Sequence, residues 1–345
     1  MKTGELYIKA LGAYLPEVMT DVKEARKSEP VPEFEDDFFD DDEYVSVSVA
    51  GDMPAVDMAV RAARAALDAA GEPVQVLFHA PMVEQGPQGW SSAGYILREL
   101  GLGGVGGFDI VQGGNSVLGA LEIAAGWLGA APGRGNALVT TALNAGSAEF
   151  DRWHSAGVSI VLGDGAAAMV VGGGGGIARV EAVNSLMFPE FEGVHRGNLP
   201  LFEKELGARR QVDLSVRVKE FTLTHGYGPM DLLTQITNMK TEVMQRSLRE
   251  AGLEAGDIAR VIHPHVGPVM IDLSAMRPLG LPLSRSTWDY GRTVGHVGSC
   301  DYLLSLRYLL ETGQLSAGDH VLLAGSGPGY NMASAVLTIT GDGAR

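Results

Sequence analysis

Apolar residues over 54–70 recur at helical spacing. Val56, Ala59, Val60, Ala63, Ala66 and Leu67 share one face, and Gly71 ends the run before a short apolar stretch at 74–79. That order, helix then buried strand, returns in the second half. Val243, Met244, Ser247 and Leu248 line one face of 239–251, Gly252 closes it, and 259–263 is the next apolar run. A second pair follows the same plan: 115–130 reads as a buried helix leading through Gly133 and Gly135 to a strand at 137–141, and 301–310 leads through Gly313 and Gly318 to a strand at 320–324. Helices alternating with buried strands predict layered α/β architecture, built from two similar halves, 1–175 and 176–345, that meet near the glycine run 172–176.

Composition narrows the class. The chain has 345 residues, 46% of them hydrophobic, which is enough for a sizeable core. Lys and Arg number 26 against 42 Asp and Glu, a net charge of −16 that disfavours nucleic acid or an anionic membrane surface as partner. No stretch approaches the roughly 20 apolar residues of a membrane span, and no secretory leader pattern opens the chain, so a cytoplasmic location is expected. Cys300 is the only cysteine, which rules out an intrachain disulfide and a thiolate-rich metal site; no metal or cofactor is expected. Residues 29–43 carry nine carboxylates interleaved with Phe34, Phe38 and Phe39, a solvated loop or a docking segment, and 189–200 reads as irregular.

Four segments, in order, carry a resemblance: Gly107-Phe108-Asp109-Ile110 followed by Gly114-Asn115; 161–167, Val-Leu-Gly-Asp-Gly-Ala-Ala; Ile262-His263-Pro264-His265; and 322–329, Leu-Leu-Ala-Gly-Ser-Gly-Pro-Gly. Together they resemble the β-ketoacyl-acyl-carrier-protein synthase III family. The resemblance implies a thiolase-type, five-layered αβαβα fold, a homodimer and a tunnel-bound active site. In that family a cysteine stands six positions beyond the phenylalanine; here that position is Gly114. A helix N-terminus lowers a thiol's pKa so that the thiolate can take an acyl group from a thioester, and glycine can do neither step.

The same resemblance implies that His265, after the proline, is the catalytic histidine and His263 the weaker candidate. It sets His296 where condensing enzymes of the family have an asparagine, although an alignment at Tyr290 would set Arg292 there. The stretch 295–301, Gly-His-Val-Gly-Ser-Cys-Asp, resembles the branch that transfers acyl groups to hydroxyls or amines in secondary metabolism, with Asp301 orienting the imidazole. Backbone N–H groups of Gly114 and Gly327 are the implied oxyanion hole, and Asn115 and Ser116 the candidate substrate contacts. Ser116 and Cys300 are weaker candidates for a displaced nucleophile; Ser116 points about 200° away from position 114 around a helix.

The expected function is acyl transfer from a carrier-protein or coenzyme A thioester to a small hydroxyl or amine acceptor, with no acyl-enzyme. Two alternatives stay open: a non-catalytic partner subunit, and an inactivated variant of a covalent enzyme. The family's adenine-binding arginine falls on Ala156, with Arg152 out of register, which favours a carrier protein over free coenzyme A. Arg209 and Arg210 are the candidate docking patch.

Overall fold

The computed structural model describes residues 1–27, 44–130, 133, 135–147, 149–157, 160–202 and 211–341; the acidic stretch at 29–43 and the Arg209/Arg210 pair lie outside them. The strands are β1 (Tyr7–Tyr14), β2 (Met19–Asp21), β3 (Ser46–Ser48), β4 (Val74–His79), β5 (Gly106–Asp109), β6 (Asn136–Leu143), β7 (Gly165–Gly172), β8 (Ala178–Met187), β9 (Ile258–Ile262), β10 (His320–Gly327) and β11 (Asn331–Ile339). The longer helices are α1 (Ala55–Ala70), α2 (Ser92–Leu100), α3 (Ser116–Gly129), α4 (Leu214–His225), α5 (Pro229–Ala251), α6 (Trp288–Val294) and α7 (Asp301–Glu311).

Strand order is β5-β4-β6-β7-β1-β8-β11-β10-β9, with β2 and β3 forming a separate pair. Outward from the β1/β8 junction the two arms read alike. β1–β7–β6 and β8–β11–β10 are antiparallel, and β6–β4 and β10–β9 are parallel. Helices α1 and α2 cover the outer face of the first arm and α5 that of the second, while α3 and α7 pack between the arms. This is the five-layered αβαβα arrangement of the thiolase type.

The layers explain the sequence patterns. Helix α1 buries Met58, Ala59, Ala62, Ala63 and Ala66 and exposes Arg61, Arg64 and Asp68, as an outer helix must. Gly71 ends it in the left-handed conformation, its N–H bonding to the Leu67 carbonyl. Helix α3 lies between the two arms of the sheet, and its first turns are apolar around most of their circumference. Val117, Leu118, Ala120, Leu121 and Ala124 are all essentially inaccessible, and each such leucine contributes roughly 1.5–3 kcal/mol by burial.

Two expected boundaries shift. The helix read at 239–251 is the last half of the 23-residue α5, which begins at Pro229 and carries Leu232 and Ile236 on the same apolar face as Met239. The glycine-rich stretch 325–327 is the end of strand β10, paired through Gly327↔Asn331, and the reversal occurs at Pro328–Tyr330.

Candidate active site

Each central helix is entered through a tight 3-10 turn: Gly113–Asn115 before α3 and Gly298–Cys300 before α7. Gly113 and Gly298 both have positive φ, 60° and 63°. A Cβ on Gly113 would also lie 2.0 Å from Pro328 Cδ, so glycine is required there. Gly114 differs. Its backbone is not left-handed, and a Cβ would meet only the Ser326 carbonyl oxygen, at 3.1 Å. Nothing in the turn demands glycine at 114. We therefore expect Gly113→Ala to lower the melting temperature by several degrees, since the left-handed backbone alone costs about 1–2 kcal/mol, and Gly114→Ala to leave it nearly unchanged; thermal denaturation of the two variants checks this.

The turn is fixed from within. Ser116 Oγ accepts from Gln112 N at 2.7 Å and donates to the Gly113 carbonyl at 2.9 Å. Asn115 Nδ2 donates to the carbonyls of Gly325 and Asn331 at 3.2 and 2.8 Å, and Asn115 Oδ1 accepts from Tyr302 Oη at 2.8 Å. Both side chains are wholly buried. The sequence reading made them substrate contacts; the structure gives their polar atoms to the turn and to the β10 end. Gly327 packs closely on this turn, since a Cβ there would stand 2.2 Å from the Gln112 carbonyl oxygen.

The first residues of α7 join this turn to the histidines. Tyr302 holds Asn115, and its neighbour Asp301 holds the His296 imidazole and the His265 backbone. Gly325 lies between Asn115, Tyr302 and Pro264, the residue between His263 and His265. Asp301 is fully buried and fully used. Its Oδ2 accepts from His296 Nδ1 at 2.6 Å and His265 N at 2.8 Å, and its Oδ1 accepts from Val297 N at 2.8 Å. Burial pushes the Asp301 carboxyl up, but the facing His265 and His296 and these hydrogen bonds outweigh it and hold it below the usual range.

The two histidines are not equivalent. His265 Nδ1 donates to the Gly295 carbonyl at 2.9 Å, which leaves Nε2 to accept from Ser305 Oγ at 2.9 Å. The ring is wholly buried and seated against Gly291, where any Cβ would collide with it. Burial lowers its pKa, partly offset by Asp301 and the Gly295 carbonyl. His296 instead gives Nδ1–H to Asp301, is 8% exposed, and its Nε2 has no hydrogen-bond partner among the described residues. The sequence assigned the proton-accepting nitrogen to His265. Both nitrogens of His265 are engaged, by Gly295 and Ser305, whereas His296 Nε2 has no partner among the described residues.

The displaced-nucleophile candidates have other employment. Ser116 caps the turn, and Cys300 is buried with Sγ 3.7 Å from Thr141 Oγ1, its thiol pushed well above the ordinary range by burial. Arg152 is pinned to the buried Asp164 at 2.8 Å and to the Leu162 carbonyl at 2.7 Å, so it supports the 161–167 segment. Among the described residues no cluster of His, Cys, Asp and Glu has a metal-binding arrangement, and no helix is long and apolar enough to cross a membrane. A cleft of about 1080 Å³ is lined by Asp52, Glu84, Gln85, Trp90, Tyr95 and Asp109 among others, and by none of Gly114, His265, His296, Asp301 and Gly327. It offers carboxylates but no imidazole.

Burial holds several histidines neutral: His79 and His195 are lowered to about 4, and His263 and His265 are also lowered. An unfolded histidine titrates near 6.5, so below that pH the unfolded chain binds more protons than the folded one. The stabilisation is complete above about pH 6.5 and is lost as pH falls toward the folded values. Melting temperature should therefore drop steadily from pH 7 to pH 5; a flat profile would contradict these assignments.

Residues 248–339 match the family described as 3-oxoacyl-(acyl carrier protein) synthase III, C-terminal. A 3,5-dihydroxyphenylacetyl-CoA synthase of Amycolatopsis balhimycina is 31% identical over 292 residues, covering 82% of this chain and 73% of that one. The chain belongs to the synthase III family. Among solved structures, ChlB3, described as an acyltransferase, superposes with a TM-score of 0.89 at 36% identity over 99% of both chains. The synthase III of Pseudomonas aeruginosa gives a TM-score of 0.75 at 21% identity, over 97% of this chain and 98% of that one, a likeness of fold. Within this synthase III frame His265, His296 and Asp301 form one cluster, and the turn that holds Gly114 is linked to it through Asn115–Tyr302 and Gly325–Pro264; Tyr302 and Ser305 are supports that the sequence reading missed. Both supports lie on α7, within four positions of Asp301; Ser305 follows Asp301 at the i+4 spacing that sets residues on one helix face.

Proposed function

We propose that this protein transfers an acyl group from a pantetheine thioester, on a carrier protein or coenzyme A, directly to a hydroxyl or amine acceptor. The observation that carries the reading is His296: a carboxylate-held imidazole with its distal nitrogen free, in a site where the nucleophile position is Gly114. Asp301 accepts the Nδ1–H hydrogen bond, which fixes the tautomer and leaves Nε2 as the proton-accepting nitrogen. His296 Nε2 removes the acceptor's proton as the acceptor attacks the thioester carbonyl. The carbon–sulfur bond then breaks, and the proton returns to the departing thiolate. Backbone N–H groups of Gly114 and Gly327 receive the developing oxyanion, the first of them at the positive end of the 14-residue α3. His265, tied at both nitrogens, positions Asp301 through its backbone N–H.

Ester or amide formation needs a base and an electrostatic hole, whereas a covalent relay mainly lets donor and acceptor bind in turn. Without a relay both must be bound at once. Initial-rate plots at several fixed acceptor concentrations should therefore intersect. Parallel lines, the signature of a stored acyl group, would rule the direct route out. The ordered His296/Asp301 pair also speaks against a purely structural partner role, which requires neither group.

The assembly belongs to the same proposal. Strand β5 is a sheet edge whose four residues are all exposed, with Phe108 53% accessible. An edge of this kind is a template for pairing with a second copy. A homodimer is expected by light scattering at micromolar concentration, and Phe108→Asp should shift it to monomer.

A further inference from the structure

Lys240, in the middle of α5, is 3% exposed. Its Nζ lies 2.9 Å from His263 Nε2 and 2.9 Å from Ser274 Oγ. The proton directions are determined. His263 Nδ1 faces the Pro264 carbonyl at 2.9 Å and must donate to it, so Nε2 accepts from Lys240. Ser274 Oγ donates to the Met270 carbonyl at 2.7 Å and so accepts from Lys240 as well. An ammonium has three donors, and these partners use two. Both partners are neutral, and among the described residues no carboxylate forms an ion pair with Lys240. A buried cation without a counter-charge is costly, and proteins retain one where function uses it.

A second observation points to the same place. Ser274 is carried by a π-helical turn, Asp272–Met276, a form that is rare and concentrated at functional sites. The cluster also adjoins the proposed chemistry. His263 is two residues from His265, whose N–H bonds the Asp301 oxygen that holds His296. Met239 is buried in one cluster with Tyr330 and Met332, which follow the Gly327 oxyanion donor in sequence. The residue before Lys240 is thus packed beside the segment that follows Gly327.

The structure assigns Lys240, with His263 and Ser274 as its fixed partners, as a subsite for an ionised acid group on the acyl chain of the donor. This deepens the acyl-transfer reading and rests on it: the donor is a thioester whose acyl group carries a carboxylate. Burial alone lowers the Lys240 ammonium to about 7, and a docked carboxylate would favour its charged form.

The test is equilibrium binding, read by calorimetry without turnover, of succinyl-pantetheine and butyryl-pantetheine. These probes share the pantetheine arm common to both donor types and differ in the carboxylate. The unaltered protein should bind the succinyl probe at least about tenfold more tightly, a 1.4 kcal/mol preference. Lys240→Met should abolish that preference while leaving butyryl affinity unchanged, and Lys240→Gln should do the same should the methionine variant fail to fold. Equal affinities for the unaltered protein, a preference that survives both substitutions, or no binding of the succinyl probe at millimolar concentration each overturn the assignment. A Lys240-dependent preference without any transfer would refute only the transfer reading. Transfer without the preference would refute only this one.

Discussion

Replacing His296 by alanine is expected to lower acyl transfer by about 10²–10⁴, the usual contribution of a positioned general base. The loss should fall on kcat, because the imidazole contributes most when it takes the acceptor's proton in the transition state. Removing the ring also leaves Asp301 with one fewer donor. Since its carboxylate keeps the His265 and Val297 N–H groups, at 2.8 Å each, the fold should survive. His265→Gln should cost much less, because His265 presents no free nitrogen and acts by holding Asp301. Steady-state kinetics on both variants checks the ordering: a larger loss at His265 than at His296 would return the base role to His265.

Gly114→Cys is the substitution with the largest qualitative effect. Position 114 has ordinary backbone geometry, and its Cβ would press only on the Ser326 carbonyl at 3.1 Å, so the variant should fold with a shift of a few tenths of an ångström. A thiol there would stand at the start of α3, where the helix N-terminus lowers its pKa. Incubation with an acyl thioester should then yield a protein heavier by one acyl group, where the unaltered chain shows none. Some of that adduct should be lost to water as hydrolysis. Cys300 gives an internal control, since its burial and raised pKa should keep it unmodified in both proteins.

The layered fold was legible because its signals are local. Amphipathic spacing in α1 and the apolar run that opens α3 are set by the layer each element occupies, and Gly71 and Gly252 mark where α1 and α5 end. Helix α5 starts ten residues before the boundary read from sequence, at Pro229; Leu232 and Ile236 there are interleaved with polar residues, a thinner apolar stripe than the second half presents. At the site, residue identities were readable but their allegiance was not. Which histidine keeps a free nitrogen depends on Gly295 and Ser305, brought from separate segments to His265. Likewise, Gly113 and Gly114 are indistinguishable as letters, and the left-handed backbone at 113 together with the approach of Pro328 makes the first obligatory and not the second. Lys240 passed unnoticed because a lysine within a helix normally reaches solvent. Its burial follows from packing of α5 onto the π-helical turn.

The central claim is that the acyl group passes to the acceptor without ever being attached to the protein. Intact-protein mass spectrometry, run on the unaltered chain with an acyl-carrier or acyl-pantetheine donor while product is quantified in the same samples, tests it most directly. The account predicts unmodified protein at every time point, with product formed only when donor and acceptor are present together. An acylated protein that the acceptor discharges, or product formation by Gly114→Cys with none by the unaltered chain, would contradict it.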